Sequence, residues 1–380
     1  MQLNAIKKME RIARNGTGVI SLAQGIPANA SHDYIRKKAS QAMLSGKADA
    51  YSDPQGIYEL RQELSSHLKG QGMVYSPSEI IVTSGAIEAL GTALRCAVTK
   101  ERPEVIVPTP VYSAYFKLIE LAGGMAVEVP LDEAAAWSLN SERITERMTP
   151  RTAAVLLCNP NNPTGTVYDQ TLLDVVAGAA MTNGCMLIID EVYRNMVYDG
   201  KEFYSPATNP AFKEAVVRVM GFSKDFSLTG WRVGYMHASS SRIPALLGIH
   251  DTVVNCAPVV SQYAALAALE IHGHVIAENR AFYERQRNKV AAALKKVNMM
   301  NADVRPAGAY FFFPRITTGE TSSGFALRIL QETGVALVPG EAFGTGGERH
   351  VRLCFGRDEQ TVDEALARLQ AAGSSGDGDA

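Results

Sequence analysis

Seven short apolar runs separated by stretches of helical composition, followed by a change of character after about residue 275, predict an α/β protein. The expected architecture is a mainly parallel seven-stranded sheet flanked by helices, with a smaller α+β domain beside it. In order, the runs are "EIIVTSG", "PEVIVPTP", "AVEVPL", "AAVLLCNP", "CMLIIDEVY", "VVRVMGFSK" and "VGYMHAS". Most are continuously apolar, as strands buried on both faces are, and this is how parallel sheets read. Residues 88–99 and 171–182 are candidate helices between them.

These elements fill a large domain over residues 46–275. Beyond it come a long charged helical stretch, "VRPAGAYFFFPRI", another helix, "VALVPG", "HVRLCFG" and an amphipathic helix near residues 361–372. They predict a small domain of residues 276–372 joined by residues 1–45. The closing residues 373–380 have the composition of a disordered tail. There are no internal repeats.

Composition narrows the function classes. Lys and Arg total 37 against 39 Asp and Glu, a net charge of −2, which gives no sign of a nucleic-acid partner or a polybasic membrane contact. No apolar run reaches the ~18 residues of a membrane span. Five scattered cysteines predict reduced thiols in a cytoplasmic protein, without a disulfide frame or a CxxC metal site.

Ligands of an α/β sheet bind at the carboxyl ends of its strands, and four loops there carry chemistry. "TSGAIEAL" (residues 83–90) turns a strand into a helix with small residues, the form of an anion seat or of a plain tight turn. Neither a Walker loop nor GxGxxG is present. "CNPNNPTGTVY" (158–168) is a stiff loop that is either a structural turn or a set of fixed donors. "IIDEVYRNMVYDG" (188–200) ends an apolar run with Asp190, a buried carboxylate that needs a partner; Glu191 reads as a structural hydrogen-bonder, and Tyr193 is near enough to share a pocket.

The fourth loop, "GFSKDFSLTGWRVG" (221–234), brings Lys224 and Arg232 together with three glycines that would let the backbone pass close to a ligand. An arbitrary lysine is a solvated charge. One delivered by an apolar strand to the surface that holds Asp190 is set up for desolvation, which frees its amine as a base or Schiff-base former.

As a set and in this order, with "YSDPQGIYELRQEL", "NPNNPTG" and "DEVY", these residues resemble the class I/II pyridoxal-phosphate-dependent aminotransferases of fold type I, the aspartate aminotransferase superfamily. The resemblance runs from "SLAQGIP" to "VRLCFG". It implies pyridoxal 5′-phosphate held by Lys224 as an internal aldimine, with Lys224 then shuttling the substrate proton. Asp190 would pair with the pyridine nitrogen, Tyr193 and Asn162 would hold the 3′ oxygen, and Tyr112 would stack on the ring. Gly85, Ala86, Ser223 and Arg232 would hold the phosphate. Arg352 and Asn162 would receive the substrate, with Gly25 in the loop that closes over it.

Tyr51 would reach the phosphate of a neighbouring subunit, which implies a homodimer, and the region of Cys256 would also approach the partner's site. The implied reaction is ping-pong transfer of an amino group from an L-amino acid to a 2-keto acid, 2-oxoglutarate being the expected acceptor. Relatives often have Asp-Phe where this chain reads "GIPANAS", and Ser, Thr or Asn near Cys256. No second arginine for a dicarboxylate side chain is identifiable. Rival readings are a lyase, cyclase or oxidase on the same fold and a cofactor-binding regulatory module. The latter lacks a DNA-binding segment. A zinc hydrolase built on His272 and His274 lacks HExxH.

Overall fold

The computed structural model describes residues 5–374. All seven expected runs form one sheet: β1 (Ile80–Thr83), β2 (Glu104–Thr109), β3 (Met125–Pro130), β4 (Thr152–Cys158), β5 (Met186–Asp190), β6 (Val216–Gly221) and β7 (Gly234–His237). Their spatial order is β1-β7-β6-β5-β4-β2-β3. The β6–β5, β5–β4, β4–β2 and β2–β3 pairs are parallel, whereas β7 runs antiparallel to both β1 and β6.

Side chains alternate between two cores, as a pleat with both faces covered requires. Leu156 and Ile188 belong to one apolar cluster, and their chain neighbours Val155, Leu157, Leu187 and Ile189 to the other. At the sheet edge β3 departs from the buried pattern, with Met125 52% exposed. The helices Ala86–Ala97, Ala114–Leu121 and Gln170–Thr182 cover the faces, close to the two expected ranges.

The strands outside this sheet are very short. Val351–Cys354 pairs antiparallel with both Phe311–Phe312 and Val338–Pro339. Ile20–Ser21 pairs in parallel with Val335–Ala336, so the first residues share a sheet with the last quarter of the chain. The final helix extends to Ser374, into the stretch expected to be a tail, and residues 375–380 lie outside the described residues. All five cysteines are free thiols. Among the described residues, no helix is long and apolar enough to cross a membrane.

This topology gathers chemistry at one end. β1, β2, β4, β5 and β6 finish there, at the chain positions leading to Gly85, Tyr112, Asn162, Asp190 and Lys224. Because β7 is antiparallel it starts there, and Arg232 lies just before it.

Candidate active site

Those strand ends open into a cleft of about 540 Å³. Of the residues expected at the site, Gly25, Ala86, Tyr112, Asn162, Asp190, Tyr193, Ser223, Lys224, Arg232 and Arg352 all line it. Gly85 is not among the lining residues; it immediately precedes Ala86, which is. Tyr51 does not reach the cleft of its own chain and is 81% exposed.

Lys224 lies on the one-turn helix Phe222–Asp225 that follows β6, and its Nζ donates to the Gly25 carbonyl at 2.7 Å. Burial lowers its pKa to about 8, helped by the Arg352 and Arg232 cations and opposed by Cys354 and Asp190. A sizeable fraction of neutral amine is therefore available near physiological pH, as the desolvation argument from sequence expected.

Asp190 ends β5 and is buried. Its Oδ2 accepts from the Tyr115 hydroxyl at 2.7 Å and its Oδ1 from the Val192 N–H at 3.2 Å. Burial raises the carboxyl to about 6, against the opposing pull of Tyr115, Val192 and Lys224. Glu191 points elsewhere, into a fully buried ion pair with Arg218 at 2.5 Å.

Arg352 is buried between the rings of Phe311 and Phe343, with its guanidinium carbon 4.5 and 5.0 Å from their centroids. Its Nη1 donates to Asn162 Oδ1 at 2.9 Å and its Nη2 to the Ala23 carbonyl, while Nε has no partner. Burial pulls its pKa down, yet a guanidinium stays charged at neutral pH. The three asparagines of the 158–168 loop divide their work. Asn159 Oδ1 accepts from the Tyr168 N–H and Asn161 donates to the Pro110 carbonyl, bracing the loop. Asn162 alone meets Arg352.

The anion seat is built from two segments. Gly85, at φ +80°, starts the helix Ala86–Ala97, so the unpaired N–H groups of its first turn open beside the cleft. Arg232 takes the left-handed conformation, φ +54°, unusual for a side-chain-bearing residue. Its guanidinium lies across this turn, donating to Thr229 and Ser84 carbonyls at 2.8 and 3.4 Å. A Cβ on Gly85 would stand 2.5 Å from Arg232 Nη2. Of the glycines of the 221–234 segment, Gly221 and Gly230 line the cleft, whereas Gly234 answers to strand packing. A Cβ on Gly234 would meet Met220 O at 2.7 Å and Ala86 N at 2.8 Å, so strand packing against the anion-seat backbone demands it, and Gly230 has open space.

Sequence reasoning missed Tyr115, which stands three residues after Tyr112, in the first turn of the helix Ala114–Leu121. Phe343 and Tyr310 carried no signal beyond apolar character. His272, set aside as a metal ligand, packs edge-on against His67 at 4.5 Å, and His274 pairs with Glu278 at 3.3 Å.

These groups fit the cofactor that the resemblance implies. A helix N-terminus with Arg232 and Ser223 suits a phosphate, the buried Asp190 a ring cation, and the pKa-lowered Lys224 an aldehyde.

Comparison with known proteins agrees. The family described as aminotransferase class I and II matches residues 17–369. An aspartate aminotransferase of Pyrococcus abyssi is 35% identical over 370 residues, covering 96% of this chain and 94% of the relative. Aromatic-amino-acid aminotransferase 2 of Thermococcus litoralis is 34% identical, with the same coverage of 96% and 94%. The solved structure of Thermus thermophilus aspartate aminotransferase with maleate superposes at a TM-score of 0.91 and 30% identity, over 98% of this chain and 97% of that one. With the family pattern running through nearly the whole chain and the fold matched at this level, the chain belongs to the aminotransferase class I and II family of pyridoxal-phosphate-dependent, fold type I enzymes.

Proposed function

We propose that the cleft transfers the amino group of an L-amino acid to a 2-keto acid, with 2-oxoglutarate as acceptor, by a ping-pong sequence on one site. The observation that carries this reading is the convergence of Lys224, Asp190, Arg232 and Arg352 on a single cleft. Pyridoxal phosphate, when bound, supplies an aldehyde that exchanges amino groups and a protonated ring that draws electrons from the substrate Cα.

Lys224 is the covalent attachment point, and its amine, once released, carries the proton removed from the substrate Cα. Its lowered pKa matches that task, since a base near pH 8 is partly free at neutrality. Asp190 keeps its negative charge against a ring cation, which would draw its raised pKa back down. Arg232, Ser223 and the Gly85–Ala86 turn hold phosphate. Tyr193 and Asn162 would hold the 3′ oxygen, and Tyr112 would be available to stack on the ring. Arg352 grips the substrate α-carboxylate, with its guanidinium plane set by two phenylalanine rings. Gly25 belongs to the loop that covers the substrate and excludes water.

A homodimer is part of the proposal: the exposed Tyr51 serves the neighbouring site. The region of Cys256, which follows the Asn255 turn at φ +68°, is proposed to approach the same site. Its location is proposed to be cytoplasmic, in keeping with five free thiols. The test is to add single amino acids to the cofactor-loaded protein without keto acid. Stoichiometric keto acid from at least one donor supports the reading. Release of ammonia or carbon dioxide in its place would assign the site to lyase or oxidase chemistry.

A further inference from the structure

Tyr310 has no part in the roles assigned above, yet it is fully buried beside Lys224. Its hydroxyl donates to the Gly25 carbonyl at 3.2 Å, the same oxygen that accepts the Lys224 amine at 2.7 Å. Its ring leaves the hydroxyl little freedom. It packs edge-on against Tyr193 at 5.3 Å and Phe311 at 4.9 Å, and a Cβ on Gly356 would meet its Cγ at 2.9 Å. Lys224 Nζ stands 5.8 Å from the Tyr310 centroid.

A carbonyl oxygen has two lone pairs. Lys224 and Tyr310 occupy both on Gly25. We propose that Tyr310 is a positioning residue: by claiming one lone pair of the Gly25 carbonyl it aims the other at Lys224, and it weakens that oxygen's hold on the ammonium form. This rests on the reading of Lys224 as the reactive amine. The other groups facing Lys224 are Cys354 and Arg352 from the Val351–Cys354 strand, Asp190 from β5, Arg232 from the segment before β7, and the Tyr193 ring. Among the described residues, Tyr310 is the one that shares the lysine's acceptor.

The experiment is to titrate Lys224 in the cofactor-free protein, by NMR of ¹³C-methylated lysines assigned with Lys224→Met, in wild type, Tyr310→Phe and Tyr283→Phe. Tyr310→Phe keeps the ring and removes the competing donor. Its Lys224 pKa should rise by about 0.5–1. In the loaded enzyme the acid limb of kcat should move up by the same amount, with KM unchanged. Tyr283→Phe is the control from the same aromatic cluster. Its hydroxyl accepts from the Ala28 N–H at 3.3 Å and does not touch Gly25 O, so the titration should stay at wild type. An unmoved titration in Tyr310→Phe, or an equal shift in both variants, overturns the proposal and leaves Tyr310 as packing. A wild-type Lys224 titrating near 10.5 overturns the reactive-amine reading itself, and the proposal with it.

Discussion

Replacing Lys224 by methionine should make the cofactor-free protein more stable at neutral pH, although it destroys the site. The lysine's pKa falls from 10.5 to about 8 in the folded state because burial disfavours its charge. At about 1.4 kcal/mol per tenfold change in a protonation equilibrium, holding the ammonium in the fold at pH 7 costs on the order of 3 kcal/mol. The side chain is partly open to the cleft, so solvent reduces this to ~1–3 kcal/mol. Methionine keeps the apolar stem and removes the charge.

The sign follows from linkage. A lysine whose folded pKa is depressed gives its full stability above the unfolded pKa, and loses it as pH falls through the folded value. The advantage of Lys224→Met should therefore be complete below about pH 8 and fade between there and pH 10.5. Urea unfolding of both proteins, free of cofactor, at pH 7 and pH 10.5 reads it directly. An advantage that is absent at pH 7, or equal at the two pH values, would refute the desolvation argument, the latter because packing does not titrate.

Further expectations follow from neighbouring contacts. Tyr115→Phe removes the hydrogen bond that opposes the burial of Asp190, so its pKa should climb from about 6. A carboxyl titration of the cofactor-free protein by ¹³C NMR should show that climb, and an Asp190 that titrates unchanged would refute the role given to the Tyr115 hydroxyl. Gly85→Ala drives a methyl to within 2.5 Å of Arg232 Nη2. Cofactor titration should show affinity falling by about tenfold or more, equivalent to ~1.4 kcal/mol, and an unchanged affinity would remove that guanidinium from the phosphate seat. Glu191→Leu strands Arg218 in the core and should cost about 3–5 kcal/mol in urea unfolding, most of it recovered in the Glu191→Leu/Arg218→Met double variant.

The sheet was legible because burial on both faces writes continuous apolar runs such as "CMLIID", and seven of these became seven strands. The short strands outside that sheet were legible only as a composition. Pairs as short as Ile20–Ser21 with Val335–Ala336 carry no periodicity, and their partners lie more than 300 residues apart. At the site, Lys224 and Asp190 stood out because each ends an apolar run, where a charge has a physical cost. Arg352 sits in a four-residue strand with nothing local to distinguish it, and its role came from resemblance alone. The bonds that tune the site, Tyr115 to Asp190 and Tyr310 to Gly25, join segments 75 and 285 residues apart, so no local pattern encodes them. The antiparallel course of β7, which brings Arg232 to the cleft, is likewise a property of topology.

The central claim is that Lys224 is the covalent seat of the cofactor. It is tested most directly by loading the protein with pyridoxal phosphate, reducing with borohydride, and mapping the modified peptide by mass spectrometry. The account expects one stoichiometric adduct on Lys224 and none in Lys224→Met. An adduct on another lysine, or no adduct at saturating cofactor, would contradict it.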